Sequence, residues 1–255
     1  MRLTVKVGTS TLAYPTGRLN IRHMEELCKV LSDIKNAGNE IMLVSSGAIA
    51  MGMGKLMLRE RPTVLDDKQA AAAVGQCELM YTYDKLFSEY NHTVAQILLT
   101  RSDVNDDERR INFTNTVNRL LELGAVPIIN ENDTIATEEI SIGDNDTLAA
   151  IVSKHLSADL LVLLSDIDGL YTANPREDKN ARLVPVVKEL TEEIMSSAGG
   201  KGSEIGTGGM MTKLSAADIV MKSGCDMVIA NGADPKVLYS ILDGENIGTR
   251  FIGKK

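Results

Sequence analysis

The sequence predicts an α/β fold, a three-layer αβα sandwich around a mainly parallel sheet. Two observations support this prediction: short apolar runs alternate with helical patterns, and small or polar residues follow most of the apolar runs. Strands and helices that alternate in this way form βαβ units, whose sheet is covered by helices on both faces. The 255 residues, 44% hydrophobic and 24% charged, are enough to bury a proper core.

Regular structure is predicted along most of the chain. Strands are predicted at residues 3–7, 40–44, 93–98, 125–129, 160–164, 227–230 and 249–252. Helices are predicted at residues 21–36, 68–90, 109–123, 148–156, 192–198, 211–222 and 235–242, and a further helix begins after the tight turn at 45–47. A loop or hairpin is predicted at 168–183. The pattern changes after residue 166, which predicts one domain of residues 1–255 with two lobes, about 1–160 and about 161–255.

The composition argues against several classes of function. A net charge of -8 without a basic cluster argues against nucleic-acid binding. The cysteines Cys28, Cys77 and Cys225 are far apart and odd in number, which argues against a disulfide framework or a zinc site. No run reaches the roughly 18 apolar residues of a membrane span. We therefore expect a cytoplasmic protein with no membrane partner.

Ligands of parallel sheets bind beyond the carboxyl ends of the strands. The residues that follow the predicted strands are small or polar, at positions 8–10, 45–47, 130–133, 165–166 and 231–232. Lys6 lies inside an otherwise apolar strand. It either reaches over the sheet edge to phosphate oxygens or protects an edge strand from aggregation. Gly8 and the hydroxyls after it favour the phosphate interpretation.

Two polar clusters, residues 130–134 and 143–147, predict a shared pocket for an ammonium and a carboxylate group. Either cluster alone would be an ordinary turn. A calcium loop is the rival interpretation, but the EF-hand spacing is absent. Asp166 follows a predicted strand, at the edge of the sheet where phosphates would bind. It could orient lysines or a metal ion there. Alternatively, it belongs to an ordinary turn at the end of the strand.

The most specific segment is GTGGMMTK at residues 206–213. A glycine-rich loop that leads into a helix admits phosphates close to backbone N–H groups, and Lys213 stands in the first turn of that helix. The segment lacks the spacing of a Walker A loop. The histidines His23, His92 and His155 have no catalytic partner pattern.

Eight blocks in order resemble the amino acid kinase family, over a match from Lys6 to about Phe251. The blocks are VKVGTS at 5–10, VSSGAIA at 44–50, AAVGQ at 72–76, LLTRSD at 98–103, INEND at 129–133, GDND at 143–146, LLSDIDGLYTANP at 163–175 and GTGGMMTK at 206–213. They are most similar to the family members that phosphorylate the side chain of glutamate. Many bacterial members carry a C-terminal PUA domain, so we expect this chain to be a short form without one.

The resemblance implies transfer of a phosphoryl group from ATP to the side-chain carboxylate of L-glutamate, the first step of proline biosynthesis. It implies Mg²⁺ bound through the ATP phosphates, and feedback inhibition by proline. It further implies a homo-oligomer, dimer or tetramer, and a possible association with the downstream glutamyl-phosphate reductase. The N-terminal lobe would bind glutamate and the C-terminal lobe ATP.

The resemblance also assigns roles to individual residues. Lys6 and Lys213 would stabilise the moving phosphoryl group, with Asp166 holding both lysines. The residues expected to bind glutamate are Ser46, Gly47, Asp133, Asn145 and Asp146. The residues expected to bind ATP are Lys6, Gly8, Ser165, Asp166, Thr207, Gly208, Gly209, Met210, Met211, Thr212 and Lys213.

Two alternatives stay open. The first is another member of the family, a kinase for acetylglutamate, carbamate or uridylate. Residues 8–10 and the GDND block favour glutamate, since Asp133 could recognise a free amino group. The second is a nucleotide- or amino-acid-binding regulatory module without turnover. Lys6, Lys213 and Asp166 argue against it, since a sensor needs no groups for phosphoryl transfer.

Overall fold

The computed structural model describes residues 1–14, 16, 18–136, 144–175, 177–198 and 209–254. Its strands are β1 (Arg2–Val7), β2 (Glu40–Ser45), β3 (Val94–Leu99), β4 (Val126–Glu131), β5 (Leu160–Ser165), β6 (Val186–Val187), β7 (Asp226–Asn231) and β8 (Thr249–Phe251). Its helices are α1 (Thr9–Leu12), α2 (Ile21–Asn36), α3 (Ala48–Leu56), α4 (Leu65–Ser88), α5 (Arg101–Asn105), α6 (Asp107–Glu122), α7 (Asn145–His155), α8 (Glu192–Ala198), α9 (Met210–Lys222) and α10 (Val237–Leu242).

The strands form one eight-stranded sheet in the order β3-β4-β2-β1-β5-β7-β8-β6. Every strand pair is parallel except β7 with β8. β1 lies in the middle and pairs with β2 on one side and β5 on the other. The predicted mainly parallel sheet is therefore confirmed.

Each face of the sheet is covered by helices, which confirms the αβα sandwich. One face packs against α2, α3, α4 and α10, with Leu27, Leu79 and Leu238 among the buried contacts. The other face packs against α6, α7 and α9, through residues such as Val117 and Leu214. The strands β2, β4 and β5 are buried almost throughout, and their sequences are mostly apolar, as is typical of parallel strands that are covered on both faces.

Helices α3 and α4 cross with their backbones in close contact. A Cβ added to Gly75 would lie 1.7 Å from the Ala48 carbonyl oxygen, and one added to Gly52 would lie 1.8 Å from the Ala71 carbonyl oxygen. Only glycine fits at these two positions. Within the described part of the chain, no helix combines the length and the apolar character needed to cross a membrane.

Candidate active site

Polar side chains from several elements meet at one edge of the sheet. The carboxyl ends of β1, β2, β4 and β5 lie there, since these strands are parallel neighbours or share a neighbour. The first turns of α7 and α9 reach the same edge, because Asp146 of α7 contacts both Lys6 of β1 and Lys213 of α9. The sequence separates these residues widely, and the fold brings them together.

A buried aspartate lies between two lysines, and we refer to Lys6, Asp146 and Lys213 as the lysine cluster. Lys6 Nζ lies 2.7 Å from Asp146 Oδ1. Lys213 Nζ donates to Asp146 Oδ2 over 3.0 Å, and Thr212 Oγ1 lies 3.2 Å from the same oxygen. The side chains are 1% exposed for Asp146, 5% for Lys213 and 12% for Lys6. Two cations and one anion give the cluster an excess of one positive charge.

This excess of positive charge suits an anionic ligand. Burial alone would raise the pKa of Asp146, but the charges of Lys6 and Lys213 lower it below its ordinary value. Asp146 is therefore ionised at neutral pH and fixes both ammonium groups. Buried charge is costly unless it is paired, so a phosphoryl group entering the cluster would be stabilised there.

The expectation that Asp166 holds both lysines needs correction. Asp166 follows β5 with an exposed side chain, and Ser165 Oγ donates to its Oδ1 over 3.2 Å. Asp146 takes the place between the lysines because the first turn of α7 packs beside both β1 and α9. Asp146, expected to contact glutamate, contacts the two lysines.

A hydrogen-bonded group of polar side chains, which we call the polar pocket, adjoins the lysine cluster, since Asn145 directly precedes Asp146 at the start of α7. Asn145 Nδ2 donates to Ser46 Oγ over 2.7 Å and to Asn130 Oδ1 over 3.0 Å. It also lies 3.3 Å from the Ser45 carbonyl oxygen. Gly47, at the N-cap of α3, has φ of 103°, a left-handed conformation that favours glycine. The predicted residues Ser46, Gly47 and Asn145 thus share one place in the fold.

Two carboxyl groups, one after β4 and one at the N-cap of α7, have raised pKa values. Burial raises the pKa of Asp133 to about 6, and the charge of Glu131 adds to the effect. Burial also raises the pKa of Asp144, whose Oδ1 accepts from the backbone N–H groups of Asp146 and Thr147 and caps α7. A carboxylate that is held close to another carboxylate favours a cationic ligand such as an ammonium group.

Several of the described residues that are expected to bind ATP lie at the same edge of the sheet as the lysine cluster. A Cβ on Gly8 would lie 3.8 Å from Lys6 Nζ, so the backbone after β1 passes close to that ammonium group. Ser165 ends β5, beside the exposed Asp166. The sequence predicts that these residues follow strands, and the structure shows that the two strands, β1 and β5, are neighbours.

The other part of the expected ATP site is the start of α9. Gly209 is the N-cap of this helix, Met210 is half-buried and Met211 is exposed. Helix N-termini attract anions, which fits a site for phosphates. Thr207 and Gly208 lie outside the described residues, as does Gly143 of the GDND block.

Two buried side chains of α4 form hydrogen bonds behind the pocket, and neither was predicted to belong to the site. Gln76 Oε1 accepts from Asn130 Nδ2 over 3.0 Å. The Tyr83 hydroxyl lies 2.8 Å from Ser45 Oγ. The sequence offered one indication. Gln76 and Tyr83 are seven residues apart, so they lie on the same face of a helix, and each has a polar atom on that face.

Comparisons with known proteins identify relatives of the chain. The sequence profile described as the Amino acid kinase family matches residues 1–231. The chain is 52% identical to a protein of Clostridium perfringens named glutamate 5-kinase, over 100% of this chain and 96% of that protein. Proteins of the same name from Clostridium acetobutylicum and Listeria monocytogenes are 53% and 51% identical, over 95% and 94% of their lengths.

The fold is similar to that of solved kinases of small molecules. The structure described as an isopentenyl phosphate kinase product complex from T. acidophilum superposes with a TM-score of 0.69, over 98% of this chain and 100% of that one. The sequence identity is 17%, so this likeness concerns the fold alone. The profile match and the relatives with about half their residues identical show that the chain belongs to the amino acid kinase family.

Proposed function

We propose that the chain is a glutamate 5-kinase, which transfers the γ-phosphoryl group of ATP to the side-chain carboxylate of L-glutamate. The observation that carries this proposal is the lysine cluster, in which Asp146 fixes Lys6 and Lys213 beside the pocket of Ser46 and Asn145. The names of the relatives support the choice of glutamate as the acceptor.

The reaction joins two anions, and the site is suited to that task. A carboxylate oxygen of glutamate attacks the γ-phosphorus, the bond from that phosphorus to the β–γ bridging oxygen breaks, and ADP leaves with that oxygen. The acceptor is already ionised at neutral pH, so no general base is needed. Catalysis then rests on positioning and on stabilising negative charge, which Lys6 and Lys213 supply in a buried setting.

We propose that the free amino group distinguishes glutamate from acetylated acceptors. Its ammonium form would pair with Asp133, whose half-buried carboxylate lies after β4, close in sequence to the hydrogen-bonded Asn130. An N-acetyl group carries no charge and would leave Asp133 without a cation. Asn145 and Ser46 would bind the rest of the amino acid.

ATP would bind on the other side of the lysine cluster, at Gly8, Ser165 and the start of α9. The described residues contain no group of three or more acids, histidines or cysteines placed to bind a metal ion. By the resemblance, Mg²⁺ would arrive on the ATP phosphates, and the exposed Asp166 is an available oxygen ligand. When bound, the ion offsets the phosphate charge that the two lysines alone leave unbalanced.

Further properties follow from the resemblance. Proline shares the α-carboxylate and the cationic amine of glutamate, so we propose that it inhibits by competing in the same pocket. Acyl phosphates hydrolyse readily, which would favour transfer to a glutamyl-phosphate reductase. We also propose a cytoplasmic homo-oligomer, dimer or tetramer, which light scattering would test.

The decisive experiment is ATP turnover with Mg²⁺ and a panel of acceptors: glutamate, N-acetylglutamate, carbamate, aspartate and UMP. Hydroxylamine traps an acyl phosphate as a hydroxamate. We expect ADP release and hydroxamate with glutamate only, and inhibition by added proline. Turnover with another acceptor would overturn the substrate assignment, and no turnover with any acceptor would favour a regulatory binding module.

A further inference from the structure

A chain of side-chain amides connects helix α4 to the pocket. Gln76 Oε1 accepts from Asn130 Nδ2 over 3.0 Å, and Asn130 Oδ1 accepts from Asn145 Nδ2 over 3.0 Å. Gln76 and Asn130 are 6% and 2% exposed. Gln76 therefore lies behind the pocket, where it contacts Asn130 rather than a bound amino acid.

A backbone group sets the direction of every hydrogen bond in this chain. The N–H of Glu131 can only donate, and it donates to Asn130 Oδ1 over 2.9 Å. Asn130 must then turn its Nδ2 toward Gln76, and Gln76 must present Oε1. Asn145 in turn donates through Nδ2, so its own oxygen is the amide atom outside the chain.

Gln76 keeps an unsatisfied group in this position. Its Nε2 is buried and has no hydrogen-bond partner. A buried donor without a partner opposes folding, and a methionine of similar length would avoid that loss. The accepting oxygen toward Asn130 is the feature that glutamine provides and methionine does not.

We propose that Gln76 is a positioning residue, which orients Asn130 and through it Asn145 for glutamate. The inference rests on the proposed function. Without the oxygen of Gln76, Asn130 Nδ2 loses its acceptor, and the Asn130 side chain is held only through its Oδ1, by the Glu131 N–H and by Asn145. Asn130 can then shift, which weakens the hydrogen bond that positions Asn145, while Asn145 Nδ2 keeps Ser46 Oγ and the Ser45 carbonyl oxygen as acceptors.

The test compares Gln76→Met with Ser32→Ala in the full chain. Ser32 is also buried with an unpartnered polar atom, but it lies in α2 away from the site. We expect Gln76→Met to raise the KM for glutamate about tenfold, near the effect of one hydrogen bond to a charged group. The KM for ATP and the melting temperature should change little, and Ser32→Ala should alter neither KM. A folded Gln76→Met with an unchanged KM for glutamate would overturn the proposal.

A second variant and a double variant make the test specific. Gln76→Glu retains an oxygen toward Asn130, so its KM for glutamate should stay within about threefold of the wild type. A larger rise in the KM of Gln76→Glu for glutamate would contradict the proposal. This test is valid even if Gln76→Met does not fold. In an Asn145→Ala background, Gln76→Met should have almost no further effect, whereas additive effects would also contradict it. Failure of the wild-type chain to use glutamate would instead refute the proposed function, and this inference with it.

Discussion

Asp146 lies where two buried ammonium groups converge, so its charge can be tested separately from its shape. Asp146→Asn keeps the size of the side chain but leaves Lys6 and Lys213 without their common anion. Both lysines would then lose their fixed positions. We expect kcat to fall about 100-fold or more, the usual effect of losing an electrostatic group at a reacting centre. Steady-state kinetics below the melting temperature of the variant would measure it.

The matched control for this change is Asp218→Asn. Asp218 forms an exposed ion pair with Lys222 on α9. Exposed pairs contribute less than about 1 kcal/mol, so kcat and the melting temperature should stay close to the wild type. If Asp146→Asn behaved like this control, the lysine cluster would not be the catalytic centre.

Asp133 should make glutamate binding depend on pH. Its pKa of about 6 lies above the ordinary range because of burial and the charge of Glu131. As pH falls through about 6, Asp133 becomes protonated and loses its attraction for an ammonium group. We expect kcat/KM for glutamate to fall with decreasing pH through this range. The KM for ATP should stay constant over the same range. Rate measurements from pH 5 to 8 would show it.

The control for the pH profile is Asp133→Asn. This variant should have a higher KM for glutamate at neutral pH and lack the decline near pH 6. The same decline in the variant would assign it to another group, such as Asp144, whose pKa is also raised.

Much of the site was predictable at the residue scale, because Lys6, Ser46 and Lys213 stand at strand ends or in a first helical turn. The choice between Asp146 and Asp166 was not. Both are acids at the same edge of the sheet, and their distances to the lysines depend on how α7 packs against β1 and α9. Periodicity carries no information on that packing.

The close crossing of α3 and α4 can be tested with a substitution at Gly75. Gly75→Ala should gain about 1 kcal/mol from helix propensity. The added Cβ would lie 1.7 Å from the Ala48 carbonyl oxygen, so the helices must separate. Overpacking typically costs about 1–3 kcal/mol, and such a severe contact should exceed the gain. We expect a lower melting temperature, measured by circular dichroism.

The exposed position Ala73 of the same helix provides the control. Ala73→Gly should cost about 1 kcal/mol from propensity alone. A Gly75→Ala variant that is more stable than the wild type would show that the two helices can separate without a loss of stability, which would contradict the prediction.

Long elements were predicted more accurately than short ones. The bounds of α2 agree with the prediction at residues 21–36, because its apolar face repeats over four turns. The helices α1 and α5 and the strand β6 were not predicted. They have two to five residues, too few for a period to repeat, and their conformation depends on the elements around them.

At the scale of the whole molecule, the two predicted lobes contribute strands to the same sheet. β1 pairs with β5 from Leu3 to Val7, so the N-terminal half is hydrogen-bonded directly to the C-terminal half. We expect urea to unfold the protein in a single transition, with the same midpoint by near- and far-ultraviolet circular dichroism. Two separate midpoints would mean that the lobes are independent domains.

The fold class was predictable because strands and helices alternate throughout the chain. The order of the strands was not, since a sequence of βαβ units can continue in either direction along a sheet. The position of β1 in the middle and the reversal at β8 depend on pairing between distant segments.

The pairing of β1 with both β2 and β5 has a consequence for inhibitor design. Lys6 stands on β1 with the turn of Ser46 after one neighbouring strand and Ser165 at the end of the other. In the proposed binding mode, the spacing between the two substrates would follow the strand separation of a continuous sheet. A bisubstrate analogue that joins glutamate to ADP through a phosphate-like linker would then occupy both half-sites. Its second half would bind at a high effective concentration, so a linker of the correct length should bind far more tightly than either half alone.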